Sequence, residues 1–165
     1  MNPFNFFKFL KDKGERKIPL RIKLLVDPKS ITKDDLNVRG DLNLADTPIT
    51  SLPAGLKVGR DLNLSYTQIT SLPVGLEVKG YLDLTGTYIT SLPDGLKVGG
   101  DLWIGAKIKS LPAGLKVGGK LDLYGTTITS LPAGLKVGGD LDLLNTKITS
   151  LPADLKVGGE IVKDF

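Results

Sequence analysis

From Asp41 onward the apolar and polar positions follow one pattern. Leu42 and Leu44 alternate with outward Asp41, Asn43 and Ala45, the period of a half-buried strand. Thr47 and Ile49 follow, then Leu52-Pro53, Gly55, Leu56 and Val58, before Gly59-Arg60 turns the chain back. The pattern restarts at residues 61, 81, 101, 120 and 140; five units have 20 residues and the unit 101–119 has 19. Residues 21–40 fit as a degenerate first unit, matching Ile22, Leu24, Leu36, Val38 and Gly40. Pro53 lacks an N–H, which excludes a central helix or regular ladder on its side of the unit. Gly55, Gly75, Gly95, Gly114 and Gly134, with Asp154 last, suit a left-handed corner. Each unit therefore reads as one turn of a solenoid, and stacking of the turns must supply the burial that a lone turn lacks.

The spacing L-x-L-x-x-T-x-I-x-x-L-P, as in Leu141, Leu143, Thr146, Ile148, Leu151 and Pro152, resembles the leucine-rich repeat L-x-L-x-x-N-x-L. The 20-residue length with Leu-Pro is similar to the short class of bacterial effector proteins and to runs in bacterial and phage proteins. The resemblance implies a mainly β, right-handed leucine-rich-repeat-like stack of about seven units. Two departures stand out. Thr47, Thr67, Thr87, Thr126 and Thr146 occupy the place of the family's Asn, which predicts a ladder of hydroxyls. An L-x-V-G-G arm replaces a second Leu-Pro. A square helix of five-residue period also uses 20-residue coils, but the spacing after Leu141 breaks that period on the fourth side. In the short unit Ala106 stands at the ladder position, predicting a local irregularity at Gly105–Lys107 without a break in strand stacking.

Composition changes the picture mainly at the N-terminus. Residues 1–40 carry ten Lys/Arg and five Asp/Glu, whereas residues 41–165 carry twelve and thirteen, so the net charge of +4 belongs to the first segment. Residues 1–20 read as a helical cap and lead-in, 21–159 as a solenoid of seven repeats and 160–165 as a C-terminal end segment. Asn2-Pro3 marks a helix start and Gly14 a stop, and Phe4, Phe6, Phe7, Phe9 and Leu10 give the segment a wide apolar face. That face fits a cap over the first coil, and residues 1–13 are the one route to a membrane surface. Phe165 is expected to fold over the last core. The absence of a signal peptide pattern and of a long apolar run points to a soluble chain, with the cytoplasm as the expected compartment.

The chain contains no Cys and no His, which removes thiol nucleophiles, imidazole bases and Cys/His zinc sites. Seven Asp residues flank the strand leucines (41, 61, 83, 101, 122, 140 and 142). They sit on an open face without the burial that acid–base chemistry or a calcium site needs, so no enzyme activity, metal or cofactor is expected. Lys57, Lys97, Lys116, Lys136 and Lys156 form a column interrupted by Glu77 and read as a solvated edge; nucleic acid is not an expected partner. Tyr81, Trp103 and Tyr124 step two residues per unit along the strand, and Leu144 lies beside Tyr124 in the next unit. Ringed by Asp83, Asp101, Asp122 and Asp142, they form the candidate partner-binding face. The expected function is a non-enzymatic protein–protein interaction module, monomeric or paired end to end. The alternative is an assembly protein that self-associates through the solenoid end.

Overall fold

Two inward leucines separated by one outward residue favour a very short strand, and the repeat delivers one such strand to the same place every turn. The structure, a computed structural model, describes residues 18–165. Among the described residues it is a mainly β parallel solenoid of about six turns with one short α-helix near the N-terminal end. Every strand is two residues long, and they form two seven-stranded parallel sheets. One sheet runs from Asn37–Val38 through Lys57–Val58 to Lys156–Val157 and presents the lysine column; the other runs from Leu42–Asn43 to Ile161–Val162 and presents the aspartates. Pairing is in register by one repeat, so Leu62 faces Leu82 and Leu82 faces Leu102. The inward side chains form one continuous core, with Leu44, Leu64, Leu84, Leu123 and Leu143 wholly buried.

The degenerate first unit does not coil. Residues Leu20–Val26 are an α-helix, and Pro28–Ser30 and Lys33–Leu36 are 3₁₀ turns, so only Asn37–Gly40 joins the stack. The reason lies at two positions of the pattern. Val26 stands where the corner of a full coil needs a left-handed residue, a conformation a β-branched side chain resists, and Lys29 stands where Ile49 is buried. The segment covers the first coil instead, with Leu20 buried and Leu24 and Ile31 packed against the core. Asp35, at the position of the corner glycine, is buried and ion-paired to Lys23 at 2.6 Å. The helix expected between Asn2 and Gly14 lies outside the described residues. No helix among the described residues is long and apolar enough to cross a membrane.

Corners explain the rest of the repeat. Gly55, Gly75, Gly95, Gly114 and Gly134 adopt positive φ as expected, whereas Asp154 does not; its carboxylate instead accepts the Gly134 N–H at 2.7 Å. A second left-handed corner follows the strand of the aspartate sheet, occupied by Asp46, Tyr66, Gly86, Gly125 and Asn145. The threonines do not form a ladder. Thr47, Thr67, Thr87 and Thr146 each donate to the carbonyl three residues back in their own coil, at 2.5–2.8 Å. Phe165 does not close the last core either: it is 40% exposed, with the Lys163 ammonium 4.4 Å from its ring centroid.

Candidate interaction face

Two columns of outward side chains cover the aspartate sheet, and most of their polar groups hold the coils in place. In the column preceding the strand, Oδ1 of Asp61, Asp101 and Asp140 accepts the N–H of Tyr81, Lys120 and Glu160 in the next coil, at 2.8–3.0 Å. This is the side-chain ladder of the solenoid, and aspartate carries it. The facing glycines are part of it, since a Cβ at Gly80, Gly119 or Gly159 would collide with Oδ1 of Asp61, Asp101 or Asp140. Where Arg60 replaces glycine, the equivalent bond from Asp61 N–H to Asp41 lengthens to 3.3 Å.

In the middle column the acceptors act within one coil. Asn43, Asn63, Asp83, Asp122 and Asp142 each accept the N–H two residues on, at 2.8–3.1 Å, bracing the left-handed corner. Trp103 is the exception in the interior of the column, and it falls in the coil that lacks the corner residue. There the turn closes one position later, from Ile108 N–H to the Gly105 carbonyl, and Gly105 rather than Ala106 takes the buried place. Ala106 is exposed, which corrects its assignment to the ladder position. The expected irregularity is present, and the strand Leu102–Trp103 still pairs on both sides.

Of the eight candidate residues, the structure brings together Tyr81 and Trp103. Their rings are 5.1 Å apart, tilted by 50°, and both are partly exposed. Trp103 lies in register between Asp83 and Asp122. Tyr124 does not extend the stripe: its ring is 58% exposed and pairs with no other aromatic ring among the described residues. Leu144 is partly buried beside that corner. The ring of four carboxylates is divided by Lys120, which sequence reasoning passed over. Its ammonium lies 3.0 Å from Asp122 and 3.4 Å from Asp142, offsetting one of the two charges there. The hydrogen bond to Asp122 leads in raising the Lys120 pKa, against an opposing effect of burial. Burial first, then the Asp61, Asp83 and Asp41 carboxylates, raise the Tyr81 pKa, so the phenol remains neutral and can donate a hydrogen bond.

Elsewhere the charged columns pair locally. Glu77 bridges Lys57 at 3.4 Å and Lys97 at 2.7 Å, and the Lys97 hydrogen bond is the leading cause of its lowered pKa. A groove of about 530 Å³ lies between the cap and the Leu-Pro side of the first coil, away from the aromatic pair. Among the described residues no group of three or more Asp or Glu is placed to hold a metal ion. No protein-family model, curated protein or solved structure matches the chain.

Proposed function

We propose that the chain is a non-enzymatic interaction module that docks a protein partner on its aspartate-bearing strand face, and that its coils are a short variant of the leucine-rich repeat. The observation that carries the docking reading is the partly exposed Tyr81–Trp103 pair in two outward columns that otherwise hold carboxylates and amides, apart from Lys120 and the terminal Val162. An aromatic centre with a charged rim is the usual anatomy of a binding hot spot. The leucine-rich-repeat reading is supported by the spacing L-x-L-x-x-T-x-I-x-x-L-P, whose apolar positions all point inward in the interior coils. Its Thr position has a role different from an inter-coil ladder, which makes the variant a distinct one.

The test is capture of partners from the native host by the whole chain, by Trp103→Ala and by Lys136→Ala on the other sheet, with melting temperatures measured in parallel. A partner retained by Lys136→Ala and lost with Trp103→Ala at unchanged melting temperature supports docking on this face. Equal capture by all three chains removes it. Concentration-dependent oligomers in light scattering that persist in Trp103→Ala, with no captured partner, would favour the assembly reading.

A further inference from the structure

The two halves of the aspartate face solve one electrostatic problem differently. In the fifth and sixth coils Lys120, just before its strand, reaches Asp122 in its own coil and Asp142 in the next. Two coils earlier the same three positions hold Tyr81, Asp83 and Trp103. Tyr81 leans on Trp103 where Lys120 leans on Asp142, and no cation of the described residues is paired with Asp83 or Asp101. Both carboxylates are nonetheless fixed: Oδ1 of Asp83 accepts Thr85 N–H and Oδ1 of Asp101 accepts Lys120 N–H, each at 2.8 Å. Neither second oxygen has a hydrogen-bond or ion-pair partner among the described residues. Asp83 lies opposite Trp103 in the register, and Asp101 precedes it by two residues on the same face. Diagonal neighbours of this kind are about 7–8 Å apart, a span that a planar guanidinium with its fork of donors can bridge.

We propose that Tyr81, Asp83, Asp101 and Trp103 form an arginine-accepting subsite, in which a guanidinium from an extended segment of the partner lies on the Trp103 ring and donates to the free oxygens of Asp83 and Asp101. The assignment rests on the strand face being the docking surface and adds the chemistry of what docks there. Charge complementarity selects the occupant. The two outward columns of this sheet carry eight carboxylates and one lysine, and the lysine is already spent on Asp122 and Asp142. Arginine satisfies the geometry better than lysine because it stacks on an aromatic face while its edge remains free to donate. Lys120 shows in place that a cation lodged between successive middle-column positions suits this lattice of strands.

Trp103 is the sole tryptophan of the chain, so its emission reports this position alone. The experiment titrates the whole chain at low salt with three hexapeptides identical except for two arginines, two lysines or two citrullines. The expected result is a saturable change in Trp103 emission with the arginine peptide, at least fivefold weaker binding of the lysine peptide and none with citrulline. Asp83→Asn is the informative variant, because Asn43 and Asn63 already make the same corner bond and the fold is retained. It should weaken the arginine peptide at least fivefold, while Lys136→Ala leaves the binding unchanged. Equal responses to the three peptides, no response to any, or an arginine response that survives Asp83→Asn would overturn the subsite. Host capture that depends on Trp103 alongside such a result would leave the docking face standing and remove only the arginine.

Discussion

Residue by residue, this chain stacks by using small polar groups in positions where the outward pattern shows only a charge or a hydroxyl. The aspartates look like a solvated face in the sequence, and four of them are structural acceptors between coils, a role visible only once the register places each beside the next N–H. The threonines show the reverse. Their column suggests an inter-coil ladder, yet the hydroxyls turn back onto their own corners. Thr126 is the one that fails to do so: its Oγ1 is buried without a hydrogen-bond partner among the described residues, in the coil directly after the short one. A buried hydroxyl left unpaired costs about 1–3 kcal/mol, while a satisfied one contributes about 1 kcal/mol. Thr126→Val, which keeps the shape and deletes the unpaired group, should be neutral or stabilising by up to about 1 kcal/mol. Thr87→Val should destabilise by about 1 kcal/mol, because it removes a 2.7 Å bond to the Leu84 carbonyl. Urea unfolding of the two variants tests the contrast, and equal losses would contradict it.

Among the elements, the strands were legible from the Leu-x-Leu alternation and the glycine corners from their spacing, because each is fixed by a local rule. The second left-handed corner went unread, although its column of Asp46, Tyr66, Gly86, Gly125 and Asn145 holds four residue types that tolerate positive φ. The cap was not legible either. Matching Ile22 and Leu24 to strand leucines ignores what Val26 and Lys29 forbid further on, and the helix that results is held by a tertiary contact. Thr32 and Asp35 form a capping box, and Lys23 reaches across from the helix to the same carboxylate oxygen. Burial pushes the Asp35 pKa up, but hydrogen bonds from Lys23 and from the Thr32 N–H and hydroxyl prevail and hold it at about 2. A carboxylate depressed below an unfolded value of about 3.9 stabilises the fold above that pH, and the contribution disappears as pH falls towards 2. The contribution is about 2 kcal/mol by linkage. Urea melts from pH 7 to pH 2 should show the gap between the native chain and Asp35→Asn closing through that window; a gap independent of pH would refute the role.

At the scale of the whole molecule a coil stack is a one-dimensional array, whose stability depends on each interface between neighbours as well as on each coil. Those interfaces are not equal here. At the second corner, Asp46 N–H bonds to the Ser65 carbonyl, Tyr66 to Thr85 and Gly125 to Leu144, tying each coil to the next. No such bond joins the third coil to the fourth: Gly86 N–H has no backbone acceptor among the described residues, and the Gly105 carbonyl accepts the Ile108 N–H of its own turn. The aspartate ladder lapses at the same interface, where Tyr81 has no carboxylate to offer Asp101, and again after Lys120. The sheets themselves continue across, so the weakness is confined to one edge of the rod. The aromatic pair spans this interface, with Tyr81 in the third coil and Trp103 in the fourth, so the proposed docking site sits on the interior junction that lacks both ties at this edge. Amide exchange follows local opening. The N–H of Gly86 should therefore exchange at least tenfold faster than those of Tyr66 and Gly125, while Leu82, Leu84 and Leu102 in the flanking strands stay protected. Uniform protection along the corner column would mean that the short coil costs the stack nothing. Fast exchange that also reaches the strand leucines would mean that the junction separates as a unit, with the two halves of the solenoid opening independently.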